Sequence, residues 1–342
     1  MDMKLNLLIV ACFAVVLFAL FGGFSYFFPK VNPITIPPIS VQPHEVMPNT
    51  SPRIVTQEVP TPEPAETTEI APSVPEEGLL IVHFIDVGEG DAALIISPYG
   101  HTMLIDAGPK ETSETVVNYL KAQKVTSLDM LVATNGQADH TGGMETVIRT
   151  LQPKQFLDNG GPNGHPLDYQ RILDLLQAQQ VPVSHLAAGD TIDLDPSLSI
   201  TVLNPGAART GNQQEDSLVF KLVYKETSFL CCGDMGTATE QRLLASGTDL
   251  KSSVLKVAGH GDGKMTSGDF LARVSPDIGV ISVGENIYGF PSSRITGTLT
   301  MRNAKVGRTD WDGNVIVTSD GKTCSLWQEY TSGDPLYRSS DE

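Results

Sequence analysis

Positive charge is scarce in this sequence of 342 residues: 23 lysines and arginines face 40 aspartates and glutamates, a formal net charge of -17 at pH 7. That balance disfavours nonspecific binding to a phosphate backbone, which draws its affinity from cationic side chains. Cysteine is scarce as well, at four. Cys231 and Cys232 are adjacent in a strand-like stretch, so their side chains point to opposite faces and cannot readily pair with each other. They read as buried free thiols, and Cys324 could bond one of them only if the fold brought the strands together. Long apolar runs are limited to one, residues 5–28, which by itself cannot build a channel.

That run, LNLLIVACFAVVLFALFGGFSYFF, has 24 consecutive positions without a charge, more than the ~20 a helix needs to cross a bilayer. A cleaved signal peptide would have an apolar region of about 7 to 15 residues ending in small residues, and Ser25-Tyr26-Phe27-Phe28 is not such an ending. A lipoprotein reading through Cys12 conflicts with the 16 further residues of the run. The expectation is an uncleaved signal-anchor. Lys4 and Lys30 flank it too evenly to orient it.

Residues 29–78 hold 12 of the 23 prolines and seven glutamates against Lys30 and Arg53. This composition predicts a disordered, semi-rigid stalk, because it has too little apolar periodicity to offset the entropy of ordering. A stalk between a membrane helix and a folded body makes most sense outside the cytoplasm. The expected location is the cell membrane, single-pass, with the body extracytoplasmic. Five net negative charges fall in the stalk and twelve on residues 79–342.

Within the body, short apolar runs at 79–85, 92–96 and 102–107 are separated by turn signals and read as strands. Val116, Val117 and Leu120 recur at helical spacing over 111–123, and 128–133 is again strand-like. A helix is expected at 169–179, strands at 199–203, 217–224 and 228–232, and a helix at 239–245. A strand at 253–257, a helix at 267–274, a strand at 278–283 and a hairpin over 313–327 complete the series. Strands dominate and helices recur at intervals, which predicts an α+β, two-sheet core with outer helices rather than a doubly wound parallel sheet. Domain boundaries are placed at 79–328 for the body and 329–342 for a tail.

Polar residues gather where these strands stop. Asp139 and His140 lie just after strand 128–133, Asp234 after strand 228–232 and His260 after strand 253–257. Carboxylate and imidazole together suit a divalent metal. Asp139 has an alternative as a helix cap or loop tie. Asp86 and Asp91, flanked by turn glycines, read as residues that hold loop backbone near the site. His83 and His101 lack acidic neighbours in sequence, His44 lies in the stalk, and His185 reads as exposed or packed.

Taken in order, FIDVGEGDAALI (84–95), LIDAG (104–108), ADHTGG (138–143), SLVFKL (217–222), FLCCGDM (229–235), VLKVAGHGD (254–262), VISVGEN (280–286) and RTDWDGNVIVTSDGK (308–322) resemble the metallo-β-lactamase superfamily. Within it they look most like the soluble domain of ComEC-type DNA-uptake proteins and their stand-alone relatives. The resemblance covers nearly all of 79–326. It implies a four-layer αββα sandwich with a dinuclear zinc or manganese site and hydrolysis by a metal-bound hydroxide.

Residue by residue, the resemblance makes Asp139, His140, Asp234 and His260 metal ligands, with Asp139 also catalytic, and Asp86, Asp91 and Asp106 supporting residues. The family's H-x-(H/D)-x-D-H motif has Asn135 and Gln137 at its two leading ligand positions, and neutral amides bind metal weakly. Its H-H-G-S becomes Gly259-His260-Gly261-Asp262, and its Y-G-H-P becomes Tyr288-Gly289-Phe290-Pro291. His165 occupies a loop where relatives often carry a histidine, offset by a residue or two. The expected cofactor is therefore one divalent metal, zinc or manganese, or none.

Two functions follow from different classes. One is a metal-dependent hydrolase of phosphodiester or related bonds in a small-molecule or polymer substrate; the other is an inactive family member that binds or scaffolds. Nucleic acid is suggested by resemblance and disfavoured by charge, unless Lys251, Lys256, Lys264, Arg273 and Arg294 form a local basic patch.

Overall fold

A computed structural model describes residues 78–161 and 166–330. The expected anchor at 5–28, the stalk as far as residue 77 and His165 lie outside the described residues. Among those described, no helix is long and apolar enough to cross a membrane.

Fourteen strands form two sheets in the described body. The first sheet contains β1 (Leu80–Phe84), β2 (Ala93–Ile96), β3 (Thr102–Ile105), β4 (Met130–Val132), β5 (Gln155–Asp158), β6 (Val183–His185), β13 (Val315–Ser319) and β14 (Cys324–Gln328). Its order is β14-β13-β1-β2-β3-β4-β5-β6, antiparallel as far as β3 and parallel from β3 to β6. The second contains β7 (Leu198–Asn204), β8 (Val219–Tyr224), β9 (Thr227–Cys231), β10 (Val254–Lys256), β11 (Ile278–Ile281) and β12 (Lys305–Arg308). Its order is β12-β11-β10-β9-β8-β7, parallel from β12 to β9 and antiparallel beyond. Each sheet thus joins a parallel half to an antiparallel half.

Alternation along the strands decides the layers, since successive side chains point to opposite faces. Val82, Phe84, Ile105 and Val132 of the first sheet meet Phe220, Phe229 and Val254 of the second in one buried cluster. Burying each such side chain is worth about 1.5–3 kcal/mol. The outer face of the first sheet, with Leu94, Leu104 and Leu131, packs on helices α1 (Ser113–Ala122), α3 (Met144–Leu151) and α4 (Pro166–Ala178). The outer face of the second packs on α5 (Thr237–Ala245), α6 (Gly268–Val274) and α7 (Ser293–Met301). The short helices α2 (Ala138–Thr141) and α8 (Thr309–Asp312) complete the set. The result is the mixed αββα sandwich expected from the sequence. Cys231 joins the inner cluster and Cys232 the outer one, the opposite-face placement predicted for adjacent strand residues.

Several elements were not anticipated, among them β5, β6, α7, β12 and α8. Helix α7, SRITGTLTM, is poor in helix-forming residues. It is held by the Ser292 side chain, which accepts from the Arg294 backbone N–H, and by buried Ile295 and Leu299. Leu299 can pack this closely because residue 279 is glycine: a Cβ there would lie 2.8 Å from the Leu299 side chain.

Candidate metal centre

The parallel halves of the two sheets send their strand ends to one edge. Asp106 follows β3, Thr134 and Asn135 follow β4, Asp234 follows β9, and His260 follows β10. Asp139 and His140 come from α2, packed against the loop between β1 and β2. There the Asp91 backbone N–H donates to the Asp139 carbonyl at 3.1 Å. Glycine is required next to it, since a Cβ on Gly90 would lie 2.5 Å from that same carbonyl oxygen.

Both imidazoles are oriented from behind. His140, fully buried, has Nδ1 2.8 Å from Asp106 Oδ2, and Asp106 also accepts from the Thr134 hydroxyl at 2.6 Å. Its Nε2 then stands 3.0 Å from Asp234 Oδ2 and 3.9 Å from Asp139 Oδ2. His260 Nδ1 lies 3.0 Å from the Ser282 carbonyl, which can only accept, so Nδ1 carries a proton. Its Nε2 lies 3.3 Å from Asp139 Oδ2 and 3.5 Å from Asp234 Oδ1. The four side chains offer ligand atoms that all lie within 4.8 Å of one another.

Charge in this cluster is mutually stabilised. Burial opposes a proton on His140, yet Asp234 and Asp106 outweigh it and raise its pKa well above the ordinary value. His260, with burial again opposing, is pushed up to about 9 by Asp234, Asp139 and Asp91. Burial would raise Asp234, but His140 and His260 hold it far below the carboxylate range. In Asp139 the lowering effect of His260 and His140 likewise exceeds that of burial. The chemistry of the donor set fits a divalent cation: His140 Nε2, His260 Nε2 and Asp234 Oδ1 are buried and face only the other side chains of this cluster. Donors held from behind by a carboxylate and a carbonyl are the usual support of such ligands.

Other sequence candidates are placed differently. Asp86 accepts from the Gly88 backbone N–H at 3.0 Å and holds its loop, as expected. Asp91, expected to tie loop backbone with its side chain, instead pairs with Lys256, Nζ to Oδ2 2.5 Å. That also corrects the surface-patch reading of Lys256, which is 6% exposed. The Asn135 side chain is folded back on its own turn, Oδ1 accepting from the Gln137 backbone N–H at 2.8 Å. Neither helix α2 nor α3 has a side-chain cap, so Asp139 is not one. His101 does have an acidic neighbour, Asp129, at 3.6 Å. His185 is exposed but tied to buried Asp158 at 2.5 Å. Glu89 carries no signal in the sequence: it accepts from the Gly284 backbone N–H at 3.0 Å, and its pKa is raised, chiefly by burial, beside His260 and Asp139.

Two facing sheets, outer helices and an Asp-His cluster at the ends of the parallel strands define a protein of the metallo-β-lactamase type. The chain belongs to the β-lactamase superfamily domain family, whose model matches residues 101–282. Among its relatives, ComE operon protein 3 of Bacillus subtilis (strain 168) is 26% identical over 285 residues, covering 78% of this chain and 36% of that protein. Competence protein ComA of Neisseria gonorrhoeae is 28% identical over 245 residues, covering 70% of this chain and 32% of that protein. The relationship is ComEC-like, and the chain spans about a third of the length of these relatives. Among solved structures, CmlA, a diiron beta-hydroxylase from Streptomyces venezuelae, is similar with a TM-score of 0.49 at 10% identity, covering 71% of this chain and 54% of that one.

Proposed function

We propose that the chain is a hydrolase-like superfamily member working with one divalent metal, zinc or manganese, held by Asp139, His140, Asp234 and His260. The observation that carries this reading is that each of the four offers a ligand atom within 4.8 Å of all the others, with His140 Nε2, His260 Nε2 and Asp234 Oδ1 buried. When bound, the ion supplies Lewis acidity and lowers the pKa of water toward ~7. The protein's own contribution is positional. Asp106 and the Ser282 carbonyl fix the rear nitrogens of the two histidines, so both Nε2 atoms face the cluster. Asp139, with 30% of its side chain exposed, presents a carboxylate at the mouth that can accept a proton from substrate or water.

The substrate proposed is a phosphodiester or related bond in a small molecule or polymer. The ComEC-like relationship, with one relative named a competence protein, favours a connection to DNA uptake, whereas the twelve net negative charges of the body weigh against tight nucleic-acid binding. Residues 5–28 are proposed to anchor the chain in the membrane with the body outside the cytoplasm, a reading supported by their 24 uncharged positions. A second reading, an inactive member that binds through the same edge, is favoured by neutral Asn135 and Gln137 at the leading ligand positions and by the Asn135 carbonyl turned into its own loop.

Metal analysis of the purified full chain tests the proposal. About one ion per chain is expected, lost in Asp139→Ala and His140→Ala, with hydrolysis of a generic phosphodiester tracking metal content. No ion after growth with zinc and manganese overturns it; one ion without hydrolysis favours the binding module.

A further inference from the structure

Behind the four-ligand cluster lies a second acidic group that shares His140 with it. Asp91, Asp106 and His140 form a buried set whose ligand atoms also lie within 4.8 Å of one another. A side chain of the protein already pairs with its Asp91. Lys256 ends β10 and shares with Val254 the inner face, between the sheets, while Leu255 faces outward. Its Nζ lies 2.5 Å from Asp91 Oδ2, and both side chains are only 7% exposed. Burial alone would strip the ammonium of its proton, but Asp91, Asp234 and Asp106 outweigh burial and raise its pKa. The other Asp91 oxygen, Oδ1, is buried without a hydrogen-bond partner among the described residues, 3.7 Å from His260 Nδ1. A cavity of about 20 Å³, room for one water, is lined in part by Asp91, Asp106, Thr134, Lys256 and Ser282.

We propose that Lys256 is a tethered monovalent cation of the centre: its ammonium fills the inner acidic subsite of Asp91, Asp106 and His140 and confines the divalent ion to the outer four-ligand position. The inference rests on the outer cluster being a metal site. Its physical basis is charge. Asp91, Asp106, Asp139 and Asp234 against one ammonium and one divalent ion come close to balance, and a second divalent ion would have to displace a group attached to the chain. With a neutral residue at 256, Asp91 and Asp106 would lie buried close together without that cation, an arrangement relieved by uptake of a proton or of a second metal cation.

The test measures zinc and manganese content, and affinity by competition with a chromophoric chelator, in the full chain. Wild type should hold one ion. Lys256→Met should hold two, or bind the first about tenfold more tightly, while Asp91→Asn, leaving the ammonium unpaired, should bind about tenfold more weakly. The double variant should return near wild type. These opposite signs separate a charge role from a scaffolding one, which would weaken binding in both single variants and overturn the proposal. If Lys256→Met does not fold by circular dichroism, Lys256→Gln takes its place, and the Asp91→Asn result must still fall below wild type. A wild type with no ion overturns the metal reading and this inference with it; one ion with both single variants weaker overturns this inference alone.

Discussion

Asp106 never reaches solvent and touches the centre only through His140, yet it decides which imidazole nitrogen faces the cluster. Replacing its carboxylate with an amide in Asp106→Asn keeps the shape but lets either nitrogen carry the proton. Metal affinity should fall roughly 10- to 100-fold. Chelator competition checks this, and an unchanged affinity would mean that Asp106 only holds Thr134. At this scale much of the site was legible, because Asp139, His140, Asp234 and His260 all follow predicted strand ends and the ordered motifs marked Asp106 and Asp91. Lys256 was not. A lysine in a short strand looks like a surface charge until the fold brings Asp91, far off in sequence, against it. Glu89 escaped for a similar reason, since its partner Gly284 is supplied by the other sheet.

Among elements, β1 and α1 are joined by His83, which faces outward while Val82 and Phe84 face the inter-sheet core. Its Nδ1 lies 2.9 Å from the Tyr119 hydroxyl of α1, and burial lowers its pKa to about 4. The folded-state value lies below the unfolded one of about 6.5, so the stability His83 contributes is complete above pH 6.5 and is lost as pH falls through 4. The full effect is about 3 kcal/mol. Denaturation midpoints at pH 7 and pH 4.5 should differ less in His83→Phe than in wild type; equal differences would refute the assignment. Helices with strong apolar periodicity, such as α1, and strands bounded by glycine turns were readable in advance. β6 is three residues with two of them exposed, and β12 reads KVGR, so neither carries an alternation to detect. α7 owes its helix to a cap and a tertiary slot more than to propensity.

At the scale of the molecule, the proposed ligands are divided between the sheets: Asp139 and His140 follow β4 of the first, Asp234 and His260 follow β9 and β10 of the second. An ion held by all four would tie the two together. At a free metal concentration 100 times Kd it should add about 2.7 kcal/mol, equivalent to about 5–10 °C in Tm for a body of this size. Calorimetry with and without a chelator checks this, and the shift should vanish in Asp234→Asn. The two-sheet architecture was legible from strand dominance, whereas the pairing of strands was not, because register depends on partners distant in sequence. One such pairing governs how the molecule is made. β1 is flanked by β2, its neighbour in sequence, and by β13, so that Phe84 must wait for Val315. During synthesis β1 has an open edge until nearly the whole body has emerged. Stalled or clipped chains ending before β13 would expose that apolar edge, which makes them natural targets for chaperones and proteases.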